Sequence, residues 1–284
     1  MYIWDYNIDM EKRVLIIEDY SCVSNCSLTC ALPILSALGS YPVGLPTAVL
    51  STQTAGIKGF TFVDMCDNML PSYKHWKKLG ITFDCVYVGF LGSQKILDAT
   101  EQILKSEKKL GTLIAFDPAM AEAGKLYAIF DEAYKKRIID MCKKYADILM
   151  PNFTEGKMFA DINIDLEPNE QNARMILNIL KTKGYPSVLL SGVINRGQQG
   201  AALLSKAGRI TFAYDKHFDY NIHGAGDVFS SVFVGRLMQR ASADSAMKSA
   251  VHFVKDCIEV SLKEKFDMRY GLLIEKLLAN IKEY

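Results

Sequence analysis

Four histidines in a chain of 284 residues, His75, His217, His223 and His252, stand at no spacing that gathers them round a metal. Surface or supporting roles are expected for them. Cysteine occurs seven times but never in paired spacing. Neither a disulfide framework nor a zinc or cluster pattern is therefore written in the chain, and free thiols in a reducing compartment are expected. Cys22, Cys26 and Cys30 fall four apart, and burial in the core is the expectation for them. Charge of either sign is in no excess: the net charge is +1, which gives no electrostatic case for nucleic acid or an acidic membrane surface. No apolar run has the length of a membrane span. The first ten residues carry acids where a secretory signal would be basic and then apolar, so a cytoplasmic location is expected. Repeats, low-complexity segments and composition shifts are absent, which predicts one domain over 1–284 with residues 1–12 as an extension.

Two nucleotide-binding signatures are also missing. The first apolar run, Arg13–Ile17, leads into Glu18-Asp-Tyr-Ser-Cys-Val-Ser24, not into the Gly-x-Gly-x-x-Gly of a dinucleotide fold. The Gly-x-x-x-x-Gly-Lys-Ser/Thr of a Walker loop is nowhere in the chain.

What is present is alternation. Short apolar runs at Arg13–Ile17, Val43–Ser51, Phe83–Phe90, Thr112–Phe116, Asp147–Met150 and Ser187–Leu190 read as strands. Between them, helical patterns run to Leu38 from a cap at Ser24 or Asn25, with Pro33 as a kink and Gly39 as the stop. Others cover Asp64–Lys78, Gln94–Lys109, Asp131–Tyr145 and Asn169–Lys183. A hairpin is expected over Ala201–Leu204 and Arg209–Tyr214, then helices over Ala225–Arg240, Ala243–Lys263 and Arg269–Ile281. Strands alternating with helices imply an α/β fold, a mostly parallel sheet covered on both faces. Ligands on such sheets bind at the carboxyl ends of the strands. That rule selects five loops: Asp19–Asn25, Ser51–Gly59, Asp117–Gly124, Pro151–Glu155 and Ser191–Gly200.

The stretch Asn221–Ser231, Asn-Ile-His-Gly-Ala-Gly-Asp-Val-Phe-Ser-Ser, reads as a tight turn opening a buried helix. Gly224 and Gly226 free the backbone to approach a ligand, and the amides of Ala225, Gly226 and Asp227 would form an anion site at the helix start. A carboxylate inside an anion site is ill suited to static phosphate binding. It suits a base that takes a proton from an attacking hydroxyl while the amides stabilise the phosphoryl group. The plainer alternative is a glycine turn with an acidic cap.

Asn152 and Glu155 likewise admit two readings: a capping box, or groups that organise a cation. Three acids near an anion turn, Asp117, Glu122 and Glu155, would repel phosphate unless a cation such as Mg²⁺ lay between them.

The chain resembles the ribokinase-like superfamily and, within it, the pyridoxal (vitamin B6) kinases of the bacterial pyridoxamine-kinase branch. The motifs that carry the resemblance are Cys26–Gly39, Leu45–Thr54, Val88–Ser93, Asp117–Met120 with Gly124–Tyr127, Pro151–Glu155 and His223–Phe229. The resemblance implies a three-layer α/β/α sandwich and ATP-dependent phosphorylation of a hydroxymethyl group on a pyridine ring. It implies Asp227 as base and the amides of Gly224, Ala225 and Gly226 as anion hole. Asp117, Asn152, Glu155, Ser191 and Gly226 would meet ATP, with Asp117, Glu122 and Glu155 near Mg²⁺. Ser21, Thr54 and Phe90 would meet the pyridine substrate. Phe90 offers a ring face, with a core role as the alternative. A homodimer is also implied, and assistance by K⁺ stays open.

The sequence departs from the family pattern at Cys22, Ser24 and Asn25 in the first loop, at Gln53, and at Ala121, Glu122 and Ala123. These departures leave two alternatives: a kinase for hydroxymethylpyrimidine or a sugar, or a silent vitamer- or nucleotide-binding protein. An intact Asp227 argues against the second.

Overall fold

The computed structural model describes residues 11–54, 57–163, 165–220 and 222–284. Most of the expected N-terminal extension, part of the Ser51–Gly59 loop and Asn221 lie outside them. The chain runs β1 (Arg13–Ser21), α1 (Leu28–Ala37), β2 (Tyr41–Leu50), β3 (Phe62–Asp64), α2 (Cys66–Lys78), β4 (Cys85–Val88) and α3 (Gln94–Leu110). It continues through β5 (Leu113–Phe116), β6 (Ala121–Glu122), β7 (Lys125–Leu126), α4 (Glu132–Tyr145), β8 (Ile148–Leu149), α5 (Phe153–Ala160) and α6 (Glu170–Thr182). Then come β9 (Val188–Asn195), β10 (Gln198–Leu204), β11 (Ile210–Lys216), α7 (Ala225–Met238) and α8 (Ala243–Lys263).

Among the described residues the main sheet has the order β11-β10-β9-β8-β5-β4-β1-β2-β3. Its six central strands are parallel, and β3 at one end and β10 and β11 at the other are antiparallel. Successive strand residues face opposite sides, and β1 shows the consequence. Val14 and Ile16 enter a core shared with α1, α7 and α8, whereas Leu15 and Ile17 enter one shared with α2 to α6. Helices thus cover both faces, and the expected α/β/α layering is borne out. The chain moves from β1 outward to β2 on one side and to β4 on the other. The switch point therefore lies at the carboxyl ends of β1 and β4, where such sheets form a ligand crevice.

The structure corrects four local expectations. The cap of α1 is Ser27, at φ +51°, not Ser24 or Asn25. The stretch Arg269–Ile281 is not an α-helix but two 3-10 turns, Met268–Tyr270 and Leu278–Glu283. Gly271, at φ +95° and ψ −159°, leaves helical space between them. β9 runs through to Asn195, so Ser191 lies in a strand, and the turn is Arg196-Gly197 with both φ positive, the tight hairpin geometry. Cys22 is exposed, while Cys26 and Cys30 are buried as expected.

Candidate active site

Gly224 caps α7 in the left-handed region, φ +73°. A side chain there would also collide, since an added Cβ would stand 2.5 Å from the Asn25 carbonyl oxygen and 2.8 Å from Cys26 Sγ. Glycine is thus demanded twice over, and the turn presses directly against the loop that follows β1. The helical ladder opens with the Val228 amide donating to the Gly224 carbonyl at 3.0 Å. The amides of Ala225, Gly226 and Asp227 stand before that first rung, the region where a helix offers donors to an anion. Gly226 is exposed and nothing would crowd a Cβ built on it, so the approach to these amides is open.

Asp227 occupies the first turn of α7, half-buried. Its Oδ2 accepts a hydrogen bond from the Ser27 amide at 2.8 Å. Burial, with the charges of Asp117 and Asp19, pushes its carboxyl up to about 7 against the opposing Ser27 amide. One turn on, the Ser230 hydroxyl donates to Asp117 Oδ2 at 2.8 Å, so α7 also fixes the acid at the end of β5. Asp117 is raised as well, by burial, and the Ser230 and Ala119 donors oppose the shift.

Two acids directly after the apolar part of β1 belong to the same cluster. Asp19 is 5% exposed, and its Oδ1 and Oδ2 accept from the hydroxyls of Ser27 and Ser21, each at 2.7 Å. Glu18 is 1% exposed and neither carboxyl oxygen has a hydrogen-bond partner, nor does the Tyr87 hydroxyl. Burial first, then the negative charge of Asp227, holds the Glu18 carboxyl well above the usual carboxylate range. Tyr87 opposes that shift, although the two groups do not reach hydrogen-bond geometry. Gly89 makes the space: a Cβ on it would lie 2.3 Å from Glu18 Oε1.

Asn152 and Glu155 form a true capping box on α5. Asn152 Oδ1 accepts from the Glu155 amide at 3.0 Å, and Glu155 Oε2 accepts from the Asn152 amide at 2.9 Å. Glu155 Oε1 accepts two further amides, Met120 at 2.7 Å and Ala121 at 3.2 Å, while Asn152 Nδ2 donates to the Ala121 carbonyl. The pair therefore ties the Asp117–Gly124 segment to α5. Burial and the charge of Asp117 raise the Glu155 carboxyl against those three amide donors.

Glu122 is exposed on the β6–β7 hairpin. Of the departures noted there, Ala121 has no positive φ and is fully buried, whereas Ala123, at φ +49°, bears the turn with Gly124. The Gly124 amide donates to the Thr154 hydroxyl at 3.0 Å. A shallow cleft of about 350 Å³ opens here, lined among others by Glu122, Gly124, Asn152, Thr154, Lys157 and Gly192. It flanks the capping-box helix and does not include Asp227.

Among the described residues no group of three or more His, Cys, Asp or Glu is arranged to hold a metal ion. Glu155 engages its oxygens with amides and Asp117 engages its own with Ser230 and Ala119, so among the described residues these two acids form no ready-made cation cage. Mg²⁺ that arrives on substrate phosphates needs no such cage, because it keeps its waters and takes one or two carboxylates.

Of the residues expected to meet the substrate, Ser21 is buried and directs its hydroxyl proton to Asp19. Phe90 is half-buried, with its ring tilted against Phe130 at 5.7 Å. Thr54 is exposed. Ser191 pairs beside Asn152 and donates its amide to the Pro151 carbonyl at 3.0 Å. Sequence patterns give Glu18, Ser27 and Ser230 no role of their own, and mark Asp19 only as the start of a selected loop. The available signal was two acids placed immediately after a buried parallel strand.

The fold and these loops define a small-molecule kinase of the α/β type. The chain belongs to the phosphomethylpyrimidine kinase family, whose profile matches residues 30–271. It is 22% identical over 252 residues to the hydroxymethylpyrimidine/phosphomethylpyrimidine kinase of Haemophilus influenzae, covering 87% of this chain and 91% of the relative. It is 31% identical to a candidate phosphomethylpyrimidine kinase from Bacteroides thetaiotaomicron solved with pyridoxal, at a TM-score of 0.89 with 96% of each chain covered. The pyridoxal kinase of Lactobacillus plantarum is 25% identical, with a TM-score of 0.87 and coverage of 96% and 97%. The expectation of a kinase of the pyridoxal and hydroxymethylpyrimidine group is borne out, and the family implies ATP as donor. No helix among the described residues is long and apolar enough to cross a membrane.

Proposed function

We propose that the protein transfers the γ-phosphoryl group of ATP to the hydroxymethyl group of a vitamin B6 vitamer, with Asp227 as general base. One observation carries the reading. The Asp227 carboxyl, raised to about 7, sits in the first turn of α7 beside amides that precede the helical ladder. A base is most effective when its pKa lies near the working pH, and phosphoryl transfer otherwise asks for positioning and charge stabilisation. The amides of Gly224, Ala225 and Gly226 would meet the charge that develops on the transferred group. Asn152, Ser191 and the Asp117 segment would border the nucleotide. Asp117, Glu122 and Glu155 would hold Mg²⁺ through its waters, the cation neutralising phosphate charge when bound. Ser21, Thr54 and Phe90 would border the ring of the vitamer.

A pyridine substrate is favoured by the similarity, at 31% identity, to a protein solved with pyridoxal. A second reading, hydroxymethylpyrimidine as acceptor, is favoured by the family and by the Haemophilus influenzae relative. ADP release with Mg-ATP and pyridoxal, pyridoxamine, pyridoxine, hydroxymethylpyrimidine or ribose separates them, with Asp227→Ala as control. Turnover on a vitamer that the control abolishes upholds the proposal. Turnover on the pyrimidine alone transfers it to the second reading, and silence with retained binding makes the protein a binder.

A further inference from the structure

We propose that Asp19 and Ser27 are positioning residues for Asp227. Asp19 locks Ser27 in a backbone conformation that side-chain-bearing residues rarely hold, and the Ser27 amide in turn fixes the base. The inference rests on the reading of Asp227 given above.

Ser27 sits at φ +51° and ψ −133°, a region that glycine enters freely and side-chain-bearing residues rarely occupy. As the N-cap of α1 it makes none of the usual side-chain cap bonds. Its hydroxyl donates instead to Asp19 Oδ1 at 2.7 Å, and its amide donates to Asp227 Oδ2 at 2.8 Å. The second oxygen of Asp19 is held by the Ser21 hydroxyl at 2.7 Å, so the carboxylate is gripped from both sides. Ser27 also bridges back to Tyr20, and Asp19 and Ser27 are 5% and 8% exposed. Asp19 in β1 and Asp227 in α7 come from distant parts of the chain and are connected through this one serine. The strained backbone is what aims the amide, and the Asp19 bond is what holds the strain in place.

The same arrangement sets what Ser21 can offer a ligand. Its only proton is given to Asp19, so toward a substrate it presents lone pairs and accepts from an N–H or O–H.

The test compares Ser27→Ala, Ser27→Gly and Asp19→Asn in the full chain. An asparagine at 19 can accept through one atom only, so one serine hydroxyl loses its partner. Ser27→Ala and Asp19→Asn are expected to lower kcat by about tenfold to a hundredfold, the scale of a mispositioned reacting group, with KM for ATP within about twofold. Ser27→Gly is expected to recover most of the Ser27→Ala loss, although it removes more of the side chain, because glycine holds this φ without a tether. The double variant Asp19→Asn/Ser27→Ala should fall no further than the worse single one, since both act along one path.

Ser27→Gly no better than Ser27→Ala would overturn the proposal, as would losses that multiply in the double variant. Hydrogen exchange at the Ser27 amide gives a readout that needs no turnover: slow exchange in the parent, accelerated by Asp19→Asn and by Asp227→Ala. An amide that exchanges equally in all three would also sink it. If Asp227→Ala itself kept full turnover while the exchange pattern held, the tether would stand and the base assignment alone would fall.

Discussion

The Ser27 amide donates to Asp227 Oδ2 at 2.8 Å, joining residues 200 positions apart at the crevice between β1 and α7. Since Asp227 is pushed up to about 7 chiefly by burial, its protonation state governs any base role near neutral pH. Below that value the carboxyl carries a proton and cannot take another. The acid limb of kcat/KM is therefore expected to rise with pH through about 7 and to flatten above it. Asp227→Asn should cut kcat by about a hundredfold or more, with little change in ATP affinity. A limb centred near 4, or an Asn variant of full activity, would remove Asp227 from the chemistry.

The acids of the crevice carry a cost that pH should expose. Glu18, Asp19, Asp117, Glu155 and Asp227 all have carboxyls raised in the folded protein, with burial as the leading cause in each. A carboxyl that holds its proton more tightly when folded contributes stability that is complete below its unfolded value, 3.8 to 4.5 here. That contribution is lost as pH climbs through the folded one, about 7 for Asp227. The ligand-free protein should thus melt at a lower temperature at pH 8 than at pH 5.5, and Glu18→Gln should flatten that slope. A melting temperature that rises across this window would contradict the assignment.

Gly89 and Glu18 form a matched pair of glycine and buried acid. A Cβ at 89, just past the end of β4, would meet Glu18 Oε1 at 2.3 Å and its Cγ at 2.6 Å, and Glu18 itself is buried. Gly89→Ala is expected to destabilise by about 1–3 kcal/mol, the usual cost of overpacking. Glu18→Ala in the same chain should restore part of it, read as denaturant midpoints. Equal losses with and without Glu18 would show that the clash lies elsewhere.

Much of this could be read from residue patterns, and the misses have definite causes. The buried runs of β1, β4 and β5 and the amphipathic helices α3, α4 and α6 announce themselves because periodicity follows from burial on a sheet or helix face. The glycine turn at Gly224 was legible for the same local reason. The C-terminal segment misled because an apolar spacing like that of Leu272, Ile274 and Ile281 serves equally well for an irregular strap buried against α1 and α8. Glu18 carries no sequence signature, and Asp19 shows only as the start of a selected loop, because the meaning of both is tertiary. A polar pair after a strand becomes a site only when α7 brings Asp227 alongside. Asn152 and Glu155 kept two readings in sequence; the structure contains the capping box, and a cation role would have to act through water beyond it.

The strap after α8 ties down the first loop and the second. Asn25 Nδ2 donates to the Leu272 carbonyl and to Glu275 Oε1, each at 2.9 Å, its amide donates to the Tyr270 carbonyl, and Gln53 Nε2 donates to the Arg269 carbonyl at 2.7 Å. Asn25 and Gln53 are two of the positions where the chain departs from the pattern of pyridoxal kinases. Both departures therefore end on one short segment, Arg269–Glu275, whose Gly271 approaches the same Asn25 carbonyl oxygen as Gly224 of the glycine turn. Gly271 meets the Asn25 carbonyl oxygen at 2.5 Å from its would-be Cβ and sits at φ +95°, so it admits no side chain without displacing the loop. Asn25→Ala removes two donors' worth of bonding and should free the strap without disturbing the sheet, at about 1–2 kcal/mol for partly buried bonds. Limited proteolysis should then cut the 265–277 region faster while the melting transition of the core moves little. KM for the acceptor should rise more than KM for ATP, because the first loop and not the capping-box cleft loses its support. A strap as resistant as the parent's, or a KM change confined to ATP, would show that these bonds do not hold the loop.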